Sequence, residues 1–344
     1  MQEMGPAIGL AGLALLVAAL IGRLLIRIGP KDHPDGDRKN QAKAMPTSGG
    51  IAVFLAVLPA TLALFAFQPG WITMPILAAL IGGLYMLLMG IWDDIVSLPA
   101  IPKLIVQILI AGIISYFGVR TGFFDFGKYY FELNPWVALA GSAAWLVVVT
   151  NAVNFMDGSD GLAMGSSAMI SAGIALLALL TGHQDIAAFA IVMLGGLLGL
   201  LVWNWPGRLF AGDAGALFVG FYLAALSLIL VTRLQVTVWI APSLFVGILS
   251  DVLLTLIWRF RHGRSLLTPH REHVYQIMIS AGTKQSVTAF IFVWIALHGI
   301  LVAGVSLAFP RGVAMIGFVA LVVILFLISQ RIRNAAIRNG LLEP

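Results

Sequence analysis

The sequence predicts an all-α fold, a polytopic integral membrane bundle of about eleven transmembrane helices. Sixty per cent of its 344 residues are apolar, and only 10% are charged, against about 25% in ordinary soluble domains. Long uncharged apolar runs recur along the whole chain. This composition excludes a cytosolic globule and a disordered tail. With no cysteine, it also excludes a disulfide-stapled secreted domain.

The predicted helices follow from the length of the apolar runs. A bilayer core of about 30 Å needs about 20 residues at 1.5 Å each. The first run carries no basic residue before it, yet it is too long for a signal peptide and lacks an Ala-x-Ala cleavage site, so we interpret it as a helix. The predicted spans are 6–28, 47–67, 73–92, 102–119, 135–150, 163–181, 186–203, 216–231, 238–258, 285–307 and 312–331.

The basic residues orient these spans. With the N-terminus outside, 16 of the 20 Lys and Arg residues flank the inner ends of the helices. Only Arg120, Lys128, Arg233 and Arg311 lie outside. The positive-inside rule therefore predicts an outside N-terminus and a cytoplasmic C-terminus. Because the net charge of +5 is explained by this distribution, we expect no nucleic-acid partner.

The polar chemistry concentrates on the predicted inner side. No internal repeat is visible, so we interpret residues 1–344 as one transmembrane domain with cytoplasmic loops at 30–46, 93–101, 151–162, 204–215 and 259–284. Ten of the 15 acidic residues lie on these loops or the adjoining helix ends. A site that binds a metal and phosphates needs carboxylates and basic groups together, and a generic membrane protein does not.

The first two loops offer a basic and an acidic motif. Lys43 precedes Pro46 and the pair Gly49-Gly50, which could bring backbone and a positive charge close to a phosphate; taken alone, a basic flank before a helix is the better reading. Asp93 and Asp94 end the third span. Because carboxylates are disfavoured at a helix C-terminus, we interpret the pair as a Mg²⁺ or catalytic site.

The third loop carries the strongest signal. Two amides and two carboxylates recur every three residues, and each aspartate is followed by glycine. One helical turn would align all four polar groups on one face, and the glycines would permit a tight ligand loop. An EF-hand is excluded because its spacing and its glutamate are missing. The four residues are Asn151, Asn154, Asp157 and Asp160.

The last two loops leave alternatives open. Asp213, between Gly212 and Gly215, suits either an N-cap of helix 8 or a further ligand. The loop 259–284 is basic and suits either a diphosphate or anionic lipid headgroups. Asp251 lies inside the ninth span, where a carboxylate is expensive unless it is functional. The candidate binding residues near this loop are Asp251, Arg261, His270, Arg271 and His273.

Taken in order, these motifs resemble the polyprenyl-phosphate N-acetylhexosamine-1-phosphate transferases, glycosyltransferase family 4. The resemblance covers residues 31–283, and its most specific parts are the aspartate pair and the Asn/Asp loop. It implies that a lipid phosphate attacks the β-phosphorus of a UDP-activated N-acetylhexosamine and releases UMP. It also implies Mg²⁺ or Mn²⁺ as cofactor, and undecaprenyl phosphate and membrane lipid as partners. The implied location is the bacterial inner membrane, and a homodimer is compatible with the resemblance.

The resemblance assigns roles to the acidic residues. It implies catalytic roles for Asp93, Asp94, Asp157 and Asp160, and metal binding by Asp93, Asp157, Asp160 and Asp213. Because a phosphomonoester has a second pKa near 6, lipid phosphate is mostly dianionic at pH 7. We therefore expect charge cancellation to matter more than a general base, and we assign Asp94 to the lipid phosphate. Single and double displacement both remain open.

The remaining polar residues are expected to bind substrate. These are Lys43, Asn151, Asn154, Asp251, Arg261, His270, Arg271 and His273. The family's late loop carries several consecutive histidines, whereas here the motif begins with His273 and continues Val274-Tyr275-Gln276. This pattern is similar to the branch that starts O-antigen synthesis, which makes a peptidoglycan role less favoured.

The rival class is a transporter of cations or organic anions. Transporters place charges near the midplane on broken helices, commonly in repeated halves. Here the acids gather at one face, and only Asp251 lies deep. The sequence therefore favours an enzyme whose hydrophobic groove for a polyprenyl tail opens onto an inner cleft.

Overall fold

The fold is an all-α polytopic membrane bundle, as predicted. A computed structural model describes residues 4–29, 31–32, 45–266, 268 and 270–343; Lys43 lies outside them. The long helices are α1 (Gly5–Ile28), α2 (Gly49–Phe67), α3 (Met74–Val96), α4 (Ala100–Tyr116), α5 (Pro135–Met156), α6 (Leu162–Leu180), α7 (Gln184–Asn204), α8 (Gly212–Leu234), α10 (Val246–Arg261), α12 (Gln285–Val305) and α13 (Gly312–Arg338). The short helices are α9 (Ile240–Leu244) and α11 (Val274–Ser280).

Nine helices in the described part of the chain are long and apolar enough to cross a membrane. The other two predicted spans differ from the prediction. The fourth is the 17-residue helix α4, which ends shortly before Gly118, a glycine with φ of +105°. The ninth is interrupted at Phe245, between α9 and α10. There the carbonyl of Ser243 lies against Gly299 of α12, a long-range contact that helix periodicity does not contain.

Helix α8 forms the centre of the bundle, and its apolar length is entirely buried. Helices α3 and α5 pack on it, while α1, α2 and α6 surround α7. By contrast, α1 and α13 are mostly exposed, as expected for helices that face lipid. Small residues allow the close approaches; a Cβ on Gly195 of α7 would lie 2.2 Å from the carbonyl oxygen of Ala11.

Two short antiparallel hairpins accompany the helices. Strands β1 (Lys31–Asp32) and β2 (Met45–Pro46) pair before α2. Strands β3 (Phe123–Phe126) and β4 (Tyr129–Glu132) form an aromatic hairpin at the opposite end of the bundle. The buried carboxylate of Asp125 accepts hydrogen bonds from Thr237 Oγ1 and the Val238 N–H, both at 2.8 Å, and thereby attaches this hairpin to the segment before α9.

Candidate active site

The loops predicted to share one face meet at one end of the bundle. The Gly49 and Gly50 N–H groups donate to the carbonyls of Phe210 and Ala211 at 2.8 and 2.9 Å. A Cβ on Gly50 would lie 2.0 Å from the Cα of Gly215. The glycines of the first loop therefore allow contact with protein backbone rather than with a ligand. This contact places the N-terminus of α8 beside the start of α2.

Four charged side chains gather at the N-terminus of α8. Lys103, from the first turn of α4, forms ion pairs with Asp93 of α3 and with Asp213, the latter at 2.8 Å. The carboxylate of Asp94 accepts from the N–H groups of Asp213 and Ala214 at 3.1 and 3.2 Å. These are free donors in the first turn of α8. The capping role considered for Asp213 therefore belongs to Asp94, reaching across from α3.

Asp157 joins this group from the loop after α5. The Gly212 N–H donates to its carboxylate, and burial, followed by the charges of Asp213 and Asp94, raises the pKa of Asp157 well above its ordinary value. Its Oδ1 atom is buried with no hydrogen-bond partner among the described residues. A buried carboxylate oxygen without a donor is costly. We call Asp93, Asp94, Lys103, Asp157 and Asp213 the acid cluster.

The Lys103 ammonium neutralises part of the negative charge of the acid cluster, and a metal ion could neutralise more. Among the residues that the structure describes, no three His, Asp or Glu side chains are arranged as a ready metal site. The Lys103 ammonium lies between Asp93 and Asp213. Mg²⁺, however, needs only one or two carboxylates and completes its octahedron with water and substrate phosphates. The unpartnered oxygen of Asp157, beside Asp213, fits such an ion.

Asp160 lies on the other side of the loop from the acid cluster. Its backbone N–H donates to Gln285 Oε1 at 2.8 Å, and its carboxylate lies close against Gly207. Burial raises the pKa of Asp160 to about 6. Among the described residues, no hydrogen bond or ion pair joins Asp160 to the acid cluster, and its metal-binding role stays a prediction. Residues 157–161 form a non-helical turn between α5 and α6 rather than one helical turn, and Gly161, at its end, has φ of +72°.

The two asparagines of the third loop lie on α5 beside Lys103. Asn151 donates to Gln107 Oε1 at 2.6 Å and to the Val147 carbonyl at 2.8 Å, which ties α5 to α4. Asn154 and Lys103 line a cavity of about 390 Å³ whose other walls are mostly apolar. Asn151 lines the same cavity, but its side-chain amide already donates to two protein groups.

This cavity is the inner end of a long apolar groove. It shares Val148 and Leu253 with a neighbouring cavity between α5 and α10. That cavity in turn shares Gly141, Trp145 and Pro242 with one behind the aromatic hairpin. The groove therefore runs from Lys103 towards the opposite end of the bundle, along helices predicted to lie in the membrane.

The basic loop lies beside these elements. Glu272 forms ion pairs with Arg259 and Arg264; burial raises its pKa, but these hydrogen bonds hold the pKa of Glu272 below its ordinary value. Burial, and then the charges of His273 and Arg259, lower the pKa of His270 to about 4. His270 is therefore neutral at pH 7. The loop is thus held by internal ion pairs.

The predicted binding residues of this loop differ in their surroundings. Two guanidinium nitrogens of Arg271, Nε and Nη2, are buried without a hydrogen-bond partner among the described residues, which suits an anion. Arg261 is exposed at the end of α10. Asp251 is buried, and its carboxylate accepts from the N–H groups of Val274 and Tyr275 at 2.9 and 3.1 Å. Its contacts are therefore with protein and not with the open site.

Tyr275 connects the basic loop to the third loop. Its hydroxyl donates to the Phe155 carbonyl at 3.1 Å, and a Cβ on Gly158 would lie 2.6 Å from that hydroxyl. Burial, and then the charges of Asp251 and Asp157, raise the pKa of Tyr275. The aromatic ring of His273 lies 6.2 Å from that of Phe155. Lys103 of the acid cluster and Leu266 of the basic loop line the same cavity, so the two groups border one cleft.

Several residues at this site were missed by the sequence reasoning. Lys103 was read only as a basic flank, although a lysine ten residues after Asp93 at the start of the next helix was a usable signal. Asn204 is buried; it accepts from the Gly161 N–H and donates to the Leu209 carbonyl. It thereby joins the third and fourth loops. Asn204 and Gln285 carry no sequence pattern that separates them from other helix ends.

Comparisons with known proteins show which family the chain resembles. Residues 76–231 match the family model described as glycosyl transferase family 4. The chain is 31% identical, over 80% of its length and 77% of the relative's, to a probable undecaprenyl-phosphate N-acetylglucosaminyl 1-phosphate transferase of Bacillus subtilis. It is 28% identical to a phospho-N-acetylmuramoyl-pentapeptide-transferase of Desulforudis audaxviator, over 88% of this chain and 98% of the relative's.

A third relative is also named as a sugar-phosphate transferase. The chain is 27% identical to a decaprenyl-phosphate N-acetylglucosaminephosphotransferase of Mycobacterium leprae, over 88% of this chain and 84% of the relative's. Fold and site are those of a membrane-embedded transferase. The chain belongs to glycosyl transferase family 4, the family of polyprenyl-phosphate hexosamine-1-phosphate transferases.

Proposed function

We propose that this protein transfers an N-acetylhexosamine 1-phosphate from a UDP-sugar to undecaprenyl phosphate. An oxygen of the lipid phosphate bonds to the β-phosphorus of the UDP-sugar. The bond between that phosphorus and the oxygen bridging to the α-phosphate breaks, and UMP leaves with the bridging oxygen. The products are UMP and a lipid diphosphate sugar.

The observation that carries this proposal is the position of the acid cluster at the end of the apolar groove. Lys103 belongs to both: it pairs with Asp93 and Asp213 and lines the inner cavity. A long apolar chain bearing a phosphate suits such a place, because its tail stays in an apolar environment while its headgroup meets a cation. A soluble phosphate substrate would need no groove.

The residues around the cleft supply charge for two anionic substrates. Lys103 and the unpartnered donors of Arg271 suit phosphate oxygens. Asn154 and His273 border the same cleft and suit the nucleotide or the diphosphate. Asp94 faces the cluster while capping α8, and we assign it to orienting the lipid phosphate.

Mg²⁺ or Mn²⁺ is the proposed cofactor. Asp157 and Asp213 would hold it, with Asp93 beside them, because the buried Asp157 Oδ1 has no hydrogen-bond partner among the described residues. When bound, the ion would offset the negative charge of the diphosphate and of the leaving UMP. Asp160 has no hydrogen bond or ion pair with these residues in the described structure, which favours a role in shaping the loop.

The proposed setting is the bacterial inner membrane, where the product would start a cell-envelope polysaccharide such as O-antigen. The relatives' names favour a second candidate donor, UDP-N-acetylmuramoyl-pentapeptide, because one such relative matches over 88% of this chain. Both candidates share the reaction; they differ in the sugar and in the pentapeptide that the second sugar carries.

The direct test incubates the purified protein with undecaprenyl phosphate, Mg²⁺ and a panel of UDP-sugars that includes both donors, and identifies the lipid product by mass spectrometry. We expect a lipid diphosphate N-acetylhexosamine and one UMP for each lipid consumed. The variants Asp93→Asn and Asp94→Asn should both lose turnover. Normal turnover in both variants would refute the assigned roles, and labelled-solute uptake into proteoliposomes without any lipid product would favour a transporter.

A further inference from the structure

A chain of buried polar groups runs from the last helix to His273. His273 Nδ1 lies 3.3 Å from Asp251 Oδ1. Because a carboxylate only accepts hydrogen bonds, this contact favours the tautomer of His273 that has its proton on Nδ1. The same Asp251 oxygen accepts from the hydroxyl of Thr255, one turn further along α10, at 3.2 Å.

The chain continues onto α13. The Thr255 hydroxyl accepts from Arg333 Nη2 at 2.7 Å. Thr255, Asp251, His273 and Arg333 all have less than a tenth of their surface exposed. A hydroxyl can donate one hydrogen bond and accept others. The Thr255 hydroxyl can therefore accept from Arg333 and donate to Asp251, and Asp251 accepts from His273 as well.

Arg333 is unusual for its helix. Helix α13 is mostly exposed, yet this guanidinium is 1% exposed and packs over the Trp258 ring at 4.9 Å. Burying a guanidinium is expensive unless charges and hydrogen bonds compensate for lost water. Asp251 and Glu272 supply the opposite charges. Arg333 Nε also donates to Ser329 Oγ of the same helix at 3.3 Å. An anchor for α13 alone would need only apolar side chains.

The other end of the hydrogen-bond chain is His273 in the basic loop. The His273 ring stacks on His270 at 5.0 Å and on Tyr275 at 5.9 Å between ring centroids. Asp251 also binds the N–H groups of Val274 and Tyr275, which are free donors at the start of α11. One carboxylate therefore sets both the ring orientation of His273 and the position of the helix that follows it.

We infer that Thr255 and Arg333 are positioning residues, which act through Asp251 to hold His273 in the orientation that binds the nucleotide sugar. The substrate in this inference rests on the proposed function, but the chain of hydrogen bonds rests on the contacts above. The C-terminal helix is thereby part of the donor-binding apparatus although it does not reach the cleft.

The test compares two substitutions at Thr255. Thr255→Val keeps the volume but removes the hydroxyl, whereas Thr255→Ser keeps the hydroxyl but removes a methyl group. If the chain positions His273, Thr255→Val should raise KM for the UDP-sugar about tenfold, the factor expected for one lost hydrogen bond to a charged group. Its KM for undecaprenyl phosphate should stay within about twofold, and Thr255→Ser should be close to wild type.

Two controls and a second measurement complete the design. Thr61→Val alters a buried threonine on α2 whose hydroxyl has no partner among the described residues, and it should change nothing. Arg333→Met should resemble Thr255→Val, while Arg331→Met, at an exposed position of α13, should not. Hydrogen exchange of the 270–280 peptide, measured on the intact protein, should rise in Thr255→Val and remain low in Thr255→Ser.

The outcomes separate the inference from the proposed function. A Thr255→Val protein with wild-type KM for the UDP-sugar, or a Thr255→Ser protein as impaired as Thr255→Val, would overturn the inference, because packing and not the hydroxyl would then matter. Unchanged hydrogen exchange in Thr255→Val would overturn the claim that this chain of hydrogen bonds holds the 270–280 segment. A wild-type protein without transferase activity would overturn the proposed function and, with it, the assignment of the substrate to His273.

Discussion

Lys103 links the two parts of the site at the scale of single residues. Its ammonium pairs with Asp93 and Asp213, and its stem lines the apolar groove. Without Lys103, two neighbouring carboxylates would face each other with no counter-charge. The same ammonium is the cation nearest the place where the lipid phosphate is proposed to arrive.

Replacing this lysine should therefore reduce transfer strongly. We expect Lys103→Met to lower kcat/KM by about a hundredfold or more, the range seen when one preorganised charge-stabilising donor is removed. UMP release by purified protein measures this. The matched control is Lys128→Met, at an exposed position between β3 and β4, and it should keep wild-type activity. A Lys103→Met protein within twofold of wild type would contradict the role.

His270 gives the basic loop a pH dependence. Burial and the neighbouring cations lower the pKa of His270 to about 4, below the value near 6.5 expected in the unfolded chain. Because the unfolded state then binds more protons between pH 6.5 and 4, stability should fall as pH drops through this window. Because the imidazole is partly exposed and solvent screens the neighbouring charges, the effect is reduced to on the order of 2 kcal/mol. His270→Gln should flatten part of this decline in thermal midpoint, and an unchanged pH profile in that variant would contradict the assignment.

At the scale of elements, glycines decide how closely the site helices approach. Gly50 of α2 and Gly215 of α8 touch backbone to backbone, and Gly90 of α3 lies similarly against Ala214. These contacts bring the ends of α2, α3 and α8 together, so that Asp93, Asp94 and Asp213 meet. The site geometry therefore depends on residues that carry no chemistry.

A methyl group at the closest contact should push these helices apart. Gly50→Ala would place its Cβ 2.0 Å from the Gly215 Cα, and backbone cannot yield as a side chain can. We expect a destabilisation of about 2–4 kcal/mol, together with loss of activity. Gly12→Ala on α1, where nothing lies within 4 Å, should be neutral or slightly stabilising. Thermal unfolding in detergent measures both, and equal midpoints would contradict the packing account.

The sequence predicted the elements better than their interruptions. Apolar runs of about 20 residues located nine membrane-length helices because backbone in lipid must satisfy its own hydrogen bonds. The break at Phe245 could not be predicted, because it depends on Gly299 of α12 lying against the Ser243 carbonyl. Of the two roles left open for Asp213, the cap was wrong for a related reason, because the residue that caps α8, Asp94, comes from another helix.

At the scale of the whole molecule, the loops separate into two ends. The acid cluster and the basic loop occupy one end. The aromatic hairpin occupies the other, where Arg311 packs over the Tyr130 ring at 4.5 Å. This division agrees with helices that cross the membrane in alternating directions. The basic residues predict which end faces the cytoplasm. Composition and motif order could predict this arrangement, but not that Asp160 would lie against Gly207, because that depends on the turn between Asp157 and α6.

The predicted orientation is readily tested because the chain has no cysteine. In whole cells with a permeable outer barrier, a membrane-impermeant maleimide should label Lys128→Cys, on the hairpin, without disruption of the inner membrane. Asn339→Cys, exposed after α13, should be labelled only after that membrane is opened. The reverse pattern would invert the topology and place the acid cluster on the outside.

The central claim is that the cleft transfers a sugar together with one phosphate. The most direct measurement supplies a UDP-N-acetylhexosamine labelled in its β-phosphate, with undecaprenyl phosphate and Mg²⁺, and follows the label. We predict that the label enters the lipid product and that the released nucleotide is unlabelled UMP. Release of labelled UDP, which would mean transfer of the sugar alone, would contradict the account.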